Sequence, residues 1–216
     1  MSRSFARKSL LVTLWMLFSG VLFLTAPVLA VPEDDAGKYV ETVGNSAIEI
    51  LSDKNLSKEL KRTKIEGLFR DNVDIAWIGR FVLGRFWRQT SDEQKKNYLK
   101  EYEAFLVQHY AARFTDYTSG SFKITGTHND GEGEFTVSMQ IKSGDVGSDP
   151  ILVDYRVRED GKSSKKKFMI FDIIVEGVSM ITTQRSEFNS VITSKGLDYL
   201  IAQLANKSGV VDIKAQ

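Results

Sequence analysis

The chain has 216 residues, 42% of them hydrophobic and 26% charged, which suits one folded domain with short appendages and excludes global disorder. Its formal charge of +1, from 29 basic and 28 acidic residues, gives no support to general nucleic-acid binding. There is no cysteine and there are two distant histidines, so disulfide scaffolds, thiol catalysis and thiolate zinc sites are excluded and little is left for any metal.

Arg3, Arg7 and Lys8 precede an apolar stretch from about Leu10 to Leu24, and Val28 and Ala30 stand where a signal peptidase reads. This pattern predicts a signal peptide over residues 1–30. The competing reading is an uncleaved anchor, because the stretch approaches the length that spans a bilayer; Pro27 and Ala30 favour cleavage. No cysteine follows the site, so a lipoprotein anchor is excluded. The absence of a double arginine points to export of the unfolded chain. No second long apolar run is present, so the mature chain is expected not to span a membrane.

After a polar lead-in, Tyr39, Val43, Ala47 and Leu51 recur every four residues and predict an amphipathic helix over 36–51. A second helix is expected over 57–69, with Leu60, Ile65, Leu68 and Phe69 inward. The apolar run 74–84 reads as a third, with Asp74 as N-cap and Gly84 as stop. Thr90 with Glu93, or equally Ser91 with Gln94, fits a capping box. Behind it Tyr98, Tyr102, Phe105, Leu106, Tyr110, Phe114 and Tyr117 follow at spacings of three and four, an aromatic stripe whose hydroxyls need polar partners or water.

Beyond Gly120 the period changes to two. Phe122 and Ile124 start one strand, and 129–133 is a turn. Phe135, Val137, Met139 and Ile141 mark a second strand, Ile151, Val153, Tyr155 and Val157 a third, and 168–175 a fourth. Helices over about 180–193 and 197–206 follow, separated by Gly196, and residues 207–216 read as a frayed tail. The prediction is an α+β domain over 31–206. Its helices pack on the apolar face of a curved four-stranded antiparallel sheet.

Motifs for chemistry are missing. There is no Gly-x-Ser-x-Gly elbow, and the Walker pattern is absent. Gly131 and Gly133 precede a strand, so they belong to a hairpin turn and not to a dinucleotide loop. His128 reads as solvated and His109 as a locally bonded, partly buried residue of the aromatic helix. No enzyme activity and no cofactor is expected. The basic run Lys162–Lys167 is either a solvated turn or a docking patch for anionic headgroups or an acidic partner. Arg80, Arg85 and Arg88 bracket an apolar segment and either meet phosphate or are ordinary rim charges. The aromatic excess is explained by a filled core or by a cavity for an apolar ligand between sheet and helices.

One stretch separates these readings. Glu176-Gly177-Val178-Ser179-Met180, followed by Arg185 and Phe188 and continuing to Leu204, resembles the MlaC family. These are the periplasmic phospholipid-binding proteins of the Mla pathway, also called the toluene-tolerance family. A second matching block is Val82-Leu83-Gly84 with Phe86, Trp87, Thr90 and Gln94. The run Lys162–Lys167 departs from the pattern, filling a turn where a tryptophan often precedes the fourth strand. The resemblance runs from about Tyr39 to Leu204. It implies an α+β fold with a lipid cavity, a diacyl phospholipid ligand, and transport between two membranes that maintains outer-membrane lipid asymmetry. The implied partners are an inner-membrane ABC transporter complex with a lipid-binding ring subunit and an outer-membrane lipoprotein with porin. A hopanoid in place of the phospholipid, or a lipid-free envelope adaptor, remains open.

Periodicity nominates the cavity lining: Ile78, Phe81, Val82, Tyr102, Phe105, Tyr110, Val137, Met139, Val153, Tyr155, Ile170, Val178, Ile181 and Phe188. Filled core is the competing reading for each. Arg185 is the candidate beside the headgroup that the resemblance implies. Glu176–Val178 is expected to form a special turn, with Gly177 at positive φ.

Overall fold

Pro32 opens the first helix at the position where a proline's missing N–H costs nothing. The computed structural model describes residues 32–114, 120–143, 149–160 and 168–206; the expected signal peptide, Tyr117, the run 162–167 and the tail lie outside them. Helix α1 spans Pro32–Ser52, with Glu33, Asp34 and Asp35 in its first turn, where the helix dipole favours carboxylates. Helix α2, Lys58–Asn72, is capped by the Ser57 hydroxyl, which accepts from the Leu60 amide. Its Ile65 is buried, but Leu60 stands outward and exposed, against expectation, because it lies in the first turn beyond the core. Helix α3, Ile75–Leu83, begins at Asp74, whose carboxylate accepts from the Trp77 amide, and ends at Gly84.

A 3-10 helix, Gly84–Gln89, links α3 to α4, Asp92–Phe114. Of the two capping pairs the structure selects Ser91 and Gln94, which exchange reciprocal bonds of 3.2 and 3.3 Å. Thr90 instead bonds back to the Phe86 carbonyl at 2.8 Å.

The strands are β1 Gly120–Gly131, β2 Glu134–Ser143, β3 Ile151–Glu159, β4 Phe168–Val175 and β5 Val178–Ser179. They form one antiparallel sheet in sequential order. The expected four strands become five because β5 is two residues long, too short to show a period. Strand β1 also runs through His128 and Asn129, which pair with Thr136 and Phe135, so the turn tightens to Glu132 and Gly133, both at positive φ.

Phe135, Val137, Met139, Val153, Val157 and Ile170 are buried on one face of the sheet. Helix α1 packs on β1 and β2, while α2, α3 and α5 pack on β4. Helix α5 is Met180–Lys195 and α6 is Leu197–Ala205; α4 packs against α2, α3 and α6. Gly44 of α1 sits so close to β1 that a Cβ there would lie 2.7 Å from the Phe122 ring. The α2–α3 corner is pinned to the sheet by the Asp74 amide on the Ile170 carbonyl at 2.9 Å and by an Arg158–Asp74 ion pair.

Candidate apolar ligand site

Helix α4 positions the interior. Tyr98 and Tyr102 stack at 5.4 Å, and Tyr102 meets Phe188 of α5 edge-on at 5.9 Å. The hydroxyls find the partners that burial demands: Tyr98 donates to the Gly79 carbonyl at 3.1 Å and Tyr102 to Oε1 of Gln184 at 2.5 Å. Burial pushes the Tyr98 phenol well above its ordinary pKa and that of Tyr155 up to about 12, so both stay protonated at neutral pH.

Between this aromatic wall and the sheet lies a cavity of about 40 Å³. Phe69 and Val73 close it from α2 and its end, Ile78 from α3, Tyr102 and Leu106 from α4. Ile170, Asp172 and Ile173 contribute from β4, and Met180, Ile181 and Gln184 from α5. A water needs roughly 10–15 Å³ on this scale, and drug-sized ligands occupy roughly 300–1,000 Å³. The space has room for a few waters and for no acyl chain. Any lipid must part the helices from the sheet.

Of the residues nominated from the sequence, Ile78, Tyr102, Ile170 and Ile181 line this cavity. Val82, Val137, Met139, Val153 and Phe188 are buried around it, and Phe81, Phe105 and Tyr155 pack against the core from partly exposed positions. Val178 does not face the interior. It is 52% exposed, because the turn before β5 carries it to the edge of the sheet. Arg185 is exposed on α5, its guanidinium 4.8 Å over the Phe81 ring. The side chain of Tyr110 lies outside the described residues. The turn itself is as special as expected: Gly177 has φ 80 and Glu176 φ 48. Glu176 is held there by its amide on the Leu152 carbonyl and by the Leu152 amide on its own carboxylate.

Sequence reasoning missed the polar part of the lining. Asp172 is 2% exposed and Gln184 3%. Asp172 accepts from the Ile173 and Ile181 amides and from the Ser179 hydroxyl, so it locks β4 to the start of α5. The signal was an acid set in the apolar run Phe168–Val175. Burial also raises the carboxyl of Glu187, whose Oε2 has no hydrogen-bond partner, but that residue does not line the cavity. Neither histidine reaches the lining, and among the described residues no cluster of His, Asp and Glu is placed to hold a metal.

An antiparallel sheet covered by helices, with a small apolar, polar-pinned cavity between them, defines an α+β fold. Residues 41–206 match the family described as MlaC protein, and the chain belongs to the MlaC family. It is 26% identical over 144 residues to the intermembrane phospholipid transport system binding protein MlaC of Haemophilus influenzae, an alignment covering 66% of each chain, just under two thirds. In fold it is similar to a phospholipid-binding protein from Ralstonia solanacearum solved in complex with a phospholipid. The TM-score is 0.67 at 20% identity, over 80% of this chain and 96% of that one.

Proposed function

We propose that the protein is a periplasmic phospholipid carrier. In this reading residues 1–30 are a cleaved signal peptide, 31–206 the binding domain and 207–216 a tail. The carrier moves diacyl phospholipid between inner-membrane and outer-membrane Mla complexes and so maintains outer-membrane lipid asymmetry. It works as a monomer, without cofactor or catalysis. The observation that carries the reading is a small apolar cavity, lined by α2–α5 and β4, in a chain of the MlaC family. The relative named for intermembrane phospholipid transport and the neighbour solved with a phospholipid support it. The wall residues nominated above are its proposed lipid contacts.

The energetics require no ATP from this chain. Sheltering one methylene from water is worth about 0.8 kcal/mol, yet exchange with a bilayer is nearly neutral, because the tails pass from one apolar medium to another. A carrier needs an apolar interior, a way to open and surfaces to dock. Among the described residues no helix is long and apolar enough to cross a membrane.

Native mass spectrometry of protein purified from the periplasm without detergent tests this. The expected result is a chain starting at Val31 with an adduct of diacyl-phospholipid mass that releases acyl ions. Ile181→Trp, which fills the cavity, is expected to lose the adduct while keeping its circular dichroism spectrum. Overpacking of this kind costs about 1–3 kcal/mol. The small cavity favours one second reading, a lipid-free adaptor, which a bare mass under gentle conditions would support instead.

A further inference from the structure

The outer side of the cavity wall carries a second feature, along the seam where α3, the 3-10 helix and α5 meet. Three exposed guanidiniums lie over three partly buried rings: Arg80 over Trp87 at 5.5 Å, Arg85 over Phe86 at 4.9 Å and Arg185 over Phe81 at 4.8 Å. Arg185 also crosses the end of α3, where a Cβ on Gly84 would lie 3.0 Å from its guanidinium. Among the described residues none of the three arginines pairs with a carboxylate, whereas Arg62, Arg70, Arg156 and Arg158 all do. The nearest acids along the chain are Asp74 to Arg80, Asp92 to Arg85 and Glu187 to Arg185: Asp74 is taken by Arg158, Asp92 by Lys95, and burial raises the Glu187 carboxyl. Three fixed cations are thus gathered on one surface of a chain whose overall charge is nearly balanced.

Stacking leaves the planar edge of each guanidinium free to donate to phosphate oxygens in pairs. Tryptophan among cations is the composition of surfaces that settle at the headgroup level of a bilayer. The same helices face the cavity with Ile78, Ile181 and Gln184, so contact here brings the cavity wall against its lipid source. We propose that the Arg80–Arg85–Arg185 seam docks the protein on a bilayer surface that carries anionic lipid. The purpose of this docking rests on the carrier reading; its occurrence is tested without cargo.

The test is co-sedimentation of the purified protein with vesicles of phosphatidylcholine alone and of phosphatidylcholine with phosphatidylglycerol. Binding is expected only to the anionic vesicles and is expected to fade as salt rises. Each surface arginine is worth roughly fivefold in affinity, so Arg80→Gln with Arg85→Gln should weaken binding by roughly 25-fold. The salt dependence of the unaltered protein keeps the proposal falsifiable if the double variant folds poorly. Equal binding to both vesicles, no binding, or an unaffected double variant overturns it, as does capture of an acidic protein through these arginines without vesicle binding. Adduct masses measured on the same preparations separate the two readings. A lipid-loaded protein that ignores vesicles overturns only the docking, and a vesicle-binding protein without cargo overturns only the carrier.

Discussion

Tyr102 joins two kinds of contact in one side chain. Its ring completes the stack with Tyr98 and the edge contact with Phe188, and its hydroxyl holds Gln184 across the cavity. Removing the hydroxyl leaves the Gln184 oxygen buried with its donor gone, which costs about 1–3 kcal/mol, although the ring and its packing survive. Tyr102→Phe is therefore expected to lower the unfolding free energy by that amount, read as a lower urea midpoint with an unchanged slope. Val178 shows what residue-scale reading misses. Its apolar character and the periodicity suggested an inward position, but the positive φ of Glu176 and Gly177 turns it outward. Backbone turns leave only a glycine as their trace in sequence.

Elements were legible wherever one periodicity ran unbroken. Strands β2 and β3 alternate cleanly, and α4 announces itself through its capping box and aromatic stripe. Helix α1 was placed four residues late because its first turn is acidic and follows a proline, polar positions that match no apolar period. The cavity was legible only as a wall. Tyr102 and Ile78 carry the right spacing, but that Asp172 and Gln184 close it depends on how α5 returns to β4, a long-range fact. How elements approach each other is decided partly by two glycines that look alike in sequence. Gly67 of α2 has open space around it, and Gly44 of α1 has the Phe122 ring. Gly67→Leu should gain up to about 1 kcal/mol from helix propensity, whereas Gly44→Leu should lose about 1–3 kcal/mol by pushing α1 off β1. Thermal melts of the pair read the difference; equal shifts would mean that α1 does not depend on that approach.

At the scale of the whole molecule, the structure is a sheet and a helical layer with polar pins at the α2–α3 corner and at the start of α5. Asp74, Ile170 and Arg158 fasten the α2–α3 corner to β3 and β4. Asp172 ties the start of α5 to β4 as a second pin, so opening that respects both falls to α4, which packs on α2, α3 and α6 and is joined to α5 by the Tyr102–Gln184 bond.

The smallness of the cavity, about 40 Å³, has a mechanical consequence. Widening so compact an interior to lipid dimensions adds volume to the protein unless water floods the gap. Pressure opposes any step that enlarges a dry void. Lipid uptake from vesicles should therefore slow under hydrostatic compression if the walls part dry, and proceed at its usual pace if they part wet. The sign of that activation volume reads directly whether cargo enters along a greased seam or through a flooded one.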